Sequence, residues 1–81
     1  MLTEPQKWIL KKLIDNNYIG ARHTSEDNIP KGYPKHQRGN IKTELKELTK
    51  QNLLYKHPTA YGWEYAINPT RIPEILAQLE P

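Results

Sequence analysis

Cysteine is absent from this 81-residue sequence, so neither a disulfide nor a thiolate metal site can supplement a core built by packing. The redox compartment is therefore unconstrained. Long apolar runs are absent too: no segment approaches the length that spans a bilayer, and the stretch MLTEPQKWILKKL has neither the uninterrupted apolar run nor the basic-then-apolar order of a signal peptide. No membrane partner is expected. Internal repeats and low-complexity linkers are also missing. At this length, with 36% hydrophobic and 26% charged residues, the chain reads as one small globular domain with a modest core.

Several kinds of site chemistry are missing as well. His23, His36 and His57 are the only soft-metal candidates, and none of them is paired at a ligand-like spacing. No metal site is expected. There is no glycine-rich phosphate loop, no nucleophile elbow and no carboxylate pair in an apolar setting, and so small a domain has little room for an enclosed pocket. These absences point to a binding module, not an enzyme, with no cofactor and no evident small-molecule substrate.

What is present is an uneven charge distribution. From Lys31 to His57 seven Lys or Arg face only Glu44 and Glu47, a local charge of +5, whereas the remainder of the chain sums to −2. A field concentrated in this way attracts a polyanion. Within the basic stretch Ile41, Leu45 and Leu48 recur at steps of four and three, the spacing of one buried helix face. A helix is predicted over residues 35–51. Its opposite face carries His36, Gly39, Thr43, Lys46, Glu47 and Lys50, with Lys35, Asn40 and Lys42 on the shoulders. Gly39 either lets the backbone approach a ligand closely or marks a helix that becomes regular only after it.

Immediately afterwards LLYKH and YGWEYAI, rich in strand-forming residues and separated by Pro58, Thr59 and Ala60, predict a β-hairpin over residues 53–67. With a loop from Pro58 to Tyr61, His57 would oppose Gly62. Leu54, Lys56, Trp63, Tyr65 and Ile67 would then share one face, with Leu54, Tyr65 and Ile67 at its core end.

A basic helix followed by such a hairpin resembles the winged helix-turn-helix DNA-binding family, over nearly the whole chain. The resemblance implies an α+β fold: a three-helix core, a two- to three-stranded antiparallel wing and a short C-terminal helix. It further implies double-stranded DNA as partner and a role as a small transcription regulator of bacterial, archaeal or viral type. The third helix would enter the major groove, with the wing on the backbone or in the minor groove. Carried over position by position, Lys35, Lys42, Lys50 and Lys56 would contact phosphates, with His57, Thr59 and Tyr61 at the wing tip. His36, Arg38, Asn40, Thr43 and Lys46 would read base edges. Z-alpha domains, a subgroup that binds left-handed DNA, use an asparagine and a tyrosine where this chain has Lys42 and Lys46. That ligand is therefore disfavoured. The expected location is cytoplasmic, and nucleoid-associated if the partner is DNA.

The other elements follow from caps and stripes. A first helix is expected over residues 4–16, with Thr3 and Gln6 as a capping box, Pro5 in the first turn and Ile9, Leu10, Leu13 and Ile14 buried. Trp8 falls on its outer side. Tyr18 and Ile19 are a candidate third strand. Thr24 and Asp27 suggest a short second helix over residues 24–29, followed by a turn at Gly32 and Pro34. Thr70 would cap a last helix over residues 70–79, striped by Ile72, Ile75, Leu76 and Leu79. That helix closes the domain's own core or pairs with its copy, and together with Trp8 it favours a symmetric homodimer. The rival reading is a protein-interaction module that works through Trp8, Trp63 and the last helix.

Overall fold

The computed structural model describes residues 2–34 and 40–80. Its element order is α1 (Glu4–Asp15), β1 (Thr24–Ser25), α2 (Ile41–Lys50), β2 (Leu54–Thr59), β3 (Gly62–Ile67), a 3-10 turn (Pro69–Arg71) and α3 (Ile72–Leu79). The result is an α+β domain of three helices and a three-stranded antiparallel sheet in the order β1-β3-β2. No described helix is long and apolar enough to cross a membrane.

Helix α1 starts as its sequence dictates, because the Thr3 hydroxyl accepts from the Gln6 amide and the Gln6 side chain accepts from the Thr3 amide. Two of the orphan donors of the first turn are thereby satisfied. Ile9, Leu10 and Leu13 are buried, while Ile14 is half-buried. Both α1 and α2 end with an asparagine in the left-handed region, Asn17 at φ 61° and Asn52 at φ 64°. In each case the next amide reaches back five residues, Tyr18 to the Leu13 carbonyl and Leu53 to that of Leu48. This closure satisfies the last carbonyls, and asparagine is the non-glycine residue that best tolerates the conformation.

Helix α2 buries Ile41, Leu45 and Leu48, which join Ile9, Leu10, Leu13, Ile29, Leu53, Leu54, Tyr65, Ile67 and Ile75 in one core. Full burial of such a side chain is worth about 1.5–3 kcal/mol. The stripe read from the sequence is the face that packs.

The hairpin register differs from expectation. Thr59 pairs with Gly62, His57 with Glu64 and Leu54 with Ile67, so the loop is the two residues Ala60 and Tyr61 and the strands are shifted by two. An even shift leaves every side chain on its expected face, whereas a shift of one would have inverted them all. Leu54, Tyr65 and Ile67 are accordingly buried. Pro58 misled the loop boundary: it sits inside β2, and an edge strand tolerates a residue without an N–H. Gly62 takes φ 132°, a value that side-chain-bearing residues rarely adopt.

The expected helix over residues 24–29 is not formed. Thr24 and Ser25 pair instead with Tyr65 and Glu64 on the free edge of β3, and the Glu26 amide continues the ladder to the Trp63 carbonyl. Turns follow. One short helix has too few internal hydrogen bonds to compete with a sheet edge that needs a partner. Local side chains also oppose it: the Asn28 amide nitrogen Nδ2 donates to Thr24 Oγ1 at 2.8 Å, so the intended cap is engaged elsewhere. Tyr18 and Ile19 do meet the hairpin, through Ile67 N–H to the Tyr18 carbonyl and Gly20 N–H to the Ile67 carbonyl, both at 2.9 Å. They form a single parallel bridge, not a strand.

At the C-terminal side Thr70 does not cap the last helix: it lies in the 3-10 turn, which Asn68 caps, and α3 starts at Ile72 without a side-chain cap. Asn68 Oδ1 accepts from the Thr70 amide and hydroxyl, and its Nδ2 donates to the Asn52 carbonyl. Asn68 is buried, and these bonds tie the end of β3 to the turn after α2. In α3 Ile75 is buried, Ile72 and Leu79 are half-buried and Leu76 is exposed.

Two outcomes are expected. Leu45→Ala should lower the unfolding free energy by about 2–5 kcal/mol, and Thr43→Ala, on the exposed side of α2, should change it by less than about 0.5 kcal/mol. Urea denaturation followed by circular dichroism measures both, and the reverse order would mean that the faces of α2 are inverted. Burial, then the charge of Glu26 and a long hydrogen bond to it, push the Tyr65 phenol up to about 12. The unfolded chain ionises near pH 10, so stability from this group is present below about pH 10 and is lost as pH rises to about 12. Absorbance titration at high pH should show a late component that Tyr65→Phe removes.

Candidate functional site

The face of α2 opposite the core brings together Lys42, Thr43, Lys46 and Lys50, all exposed, with Asn40 exposed just before the helix. Asn40 makes no side-chain capping bond, so its amide is available to a ligand. Lys35, His36, Arg38 and Gly39 lie outside the described residues.

The cations of α1 and of the 3-10 turn are engaged at home, whereas Arg22 meets the Tyr18 ring alone and Lys31 is exposed without an ion pair among the described residues. Lys7 pairs with Glu4, Lys11 with Asp15 and Arg71 with Glu74. Lys12 extends its ammonium to the carbonyls of Asn28 and Ile29 at 3.2 and 2.9 Å, and to that of Lys31. By contrast, none of Lys42, Lys46 and Lys50 forms an ion pair with a described residue. The two acids of α2 meet neutral amides, Glu44 accepting from Gln6 Nε2 at 2.9 Å and Glu47 from Gln51 Nε2 at 3.3 Å. The positive field of α2 is consequently not cancelled at contact distance.

The hairpin divides the remaining predicted residues between its two faces. Lys56, Pro58 and Trp63 share the face whose inner end is the core, and the Lys56 ammonium sits 4.1 Å from the centre of the Trp63 ring. Trp63, expected on the face of Lys56 but named as a working residue only in the interaction-module reading, is thus a neighbour of that lysine. The alternation of the strands was sufficient to find it. His57 lies mid-strand on the opposite face, not at the tip, and it stacks on His23 with ring centres 4.4 Å apart. His23 Nδ1 in turn lies 2.5 Å from Glu64 Oε1. This cluster had no sequence signal, since it depends on the unforeseen pairing of β1. Stacked rings hold their lone pairs in near-parallel planes and do not converge on one ion; among the described residues no group of three His, Asp or Glu could hold a metal.

At the tip Thr59 is used internally: its hydroxyl donates to the Gly62 carbonyl at 2.8 Å and accepts from the Tyr61 amide at 3.2 Å. The loop is fixed, and Tyr61 is left wholly in solvent. The other tryptophan belongs to a different region, because Trp8 meets the Tyr33 ring edge-on at 4.8 Å and lies under the Lys12 ammonium. An apolar cleft of about 350 Å³ between α1 and α3, lined by Ile14, Leu76 and Leu79 among others, contains none of the predicted site residues. Comparison with family models, with curated proteins and with solved structures finds no match to this chain.

Proposed function

We propose that the chain binds double-stranded DNA as a winged-helix module, with α2 entering the major groove and the β2–β3 hairpin lying along the backbone or minor groove, in the role of a small transcription regulator. The observation that carries this reading is the partition of charge pairing. The lysines of α1 and Arg71 of the 3-10 turn are engaged within the protein, whereas Lys42, Lys46 and Lys50 are exposed and without ion pairs among the described residues. A helix of 10 residues is about 15 Å long, and a B-DNA major groove about 12 Å wide admits it. The arrangement differs from the expected helix-turn-helix in one respect: β1 and a series of turns stand where the second helix would be. A tethered turn in that place still delivers α2 with its lysines outward.

In this reading Lys42, Lys50 and Lys56 contact phosphates, and Asn40, Thr43 and Lys46 face base edges. Lys35, His36 and Arg38 are proposed from the sequence alone. His57 and Thr59 have a smaller role than expected, since one stacks on His23 and the other closes the turn.

The first test is a salt titration of binding to random-sequence duplex. Four to six phosphate contacts give a slope of log affinity against log salt of about −4 to −5, and a flat response would remove the electrostatic basis of the reading. The second separates phosphate contacts from base contacts. Lys56→Ala should weaken binding to every duplex alike, whereas Asn40→Ala or Thr43→Ala should cost about 1–3 kcal/mol at one or two base pairs and spare nonspecific affinity. Paired binding curves on a selected and a scrambled duplex distinguish these patterns.

A further inference from the structure

Among the described residues four large apolar or aromatic side chains are exposed, and three of them are on the hairpin: Tyr55 at 43%, Trp63 at 43% and Tyr61 at 100%. They are distributed over the two faces and the tip, because Tyr55 and Trp63 occupy opposite parities of the register and Tyr61 is in the loop. Solvent-exposed aromatic rings are expensive to leave unused, and the outside of an intact duplex offers them little. Its base faces are hidden in the stack, and what remains is phosphate, sugar and groove edge.

Three features make these rings a presented surface. The tip is held by both hydrogen bonds of the Thr59 hydroxyl, so Tyr61 is displayed on a fixed turn. Trp63 carries the Lys56 ammonium against its ring, which sets a cation beside a stacking surface. The one acid of the hairpin, Glu64, lies on the opposite face beside His23, so Lys56 is the one charged hairpin residue on the face of Trp63. An aromatic ring with an ammonium against it, on a hairpin that packs on α2, suits a nucleic acid strand with unstacked bases, whose phosphates the cation meets.

We propose that the hairpin stacks on unpaired bases, so that the preferred ligand is duplex DNA continued by a single-stranded extension, with α2 on the duplex and Tyr61 and Trp63 on the bases beside it. This rests on the DNA-binding reading of α2 and names its substrate class. Stacking on one base contributes about 1–3 kcal/mol by alanine substitution, which corresponds to roughly a 5- to 150-fold change in affinity.

Fluorescence anisotropy at one fixed salt concentration tests this with four DNAs that share a sequence: a blunt duplex, the same duplex with a short thymidine extension, the duplex with an abasic extension of equal length, and the single strand alone. The extended duplex should bind about tenfold tighter than the blunt one. The abasic extension, which has the same phosphates and no bases, should bind like the blunt duplex. Tyr61→Ala should remove most of the advantage and Tyr61→Phe should retain it, both with an unchanged thermal melt because the ring is fully exposed. Equal affinity for blunt and extended duplexes, or an abasic extension as good as the thymidine one, overturns the inference and leaves duplex binding in place. Single strand bound as tightly as the extended duplex overturns the junction preference together with the role of α2. Binding to none of the four overturns both readings.

Discussion

The register of β3 is the constraint on which the other elements depend. As the central strand it pairs with β2 along one edge, and with β1 and the Tyr18–Gly20 segment along the other. Tyr65 and Ile67 face the core from this strand, and α1 and α2 close over them. One parity therefore fixes three things together: which hairpin side chains are buried, which face carries Lys56 and Trp63, and which face receives His23. Sliding β3 by one residue would place Glu64 and Ala66 in the core and expel Tyr65 and Ile67. The resulting loss of burial far exceeds anything that local turn chemistry could restore.

The segment between α1 and α2 is held by long-range tethers in place of a helix of its own. An ammonium has three donors, and Lys12 directs its own at carbonyls of Asn28, Ile29 and Lys31 that a helix would have satisfied internally. Tyr33 then packs edge-on against Trp8. Both contacts originate one turn apart on the outer side of α1, so that side acts as the template for the approach to α2. It also explains Trp8, whose half-buried indole packs against Tyr33 and lies under the Lys12 ammonium.

Ion pairing matters here for the field it leaves, more than for stability. Exposed pairs such as Lys11–Asp15 or Arg71–Glu74 contribute only about 0–1 kcal/mol each. Their effect is to neutralise charge on α1 and at the start of α3, and they leave the lysines of α2 exposed without an ion pair among the described residues. A modest overall charge of +3 is compatible with a local positive field because the exposed lysines of α2 form no ion pair with a described residue.

Periodicity and caps made much of this legible from sequence. The buried stripes of α1 and α2, the Thr3–Gln6 capping box, the hairpin and the outward lysines are all set by interactions within a few residues of one another, which a linear pattern encodes directly. The hairpin faces were also legible, because the error in register was even and alternation has a period of two. What the sequence could not decide were the contests between local and distant partners. Thr24 to Ile29 carries a helix-capping pattern, yet a strand edge made some 40 residues later in the chain claims Thr24 and Ser25. Thr70 is taken into a 3-10 turn capped by Asn68, whose side chain also reaches the Asn52 carbonyl, and α3 begins only after it. The His23–His57 stack, the Lys12 tether and the partition of ion pairs likewise exist only once the sheet has assembled. Local chemistry determined which elements are available, and tertiary structure decided which of them are used, since an unpaired strand edge or a buried carbonyl costs more than a short helix can return.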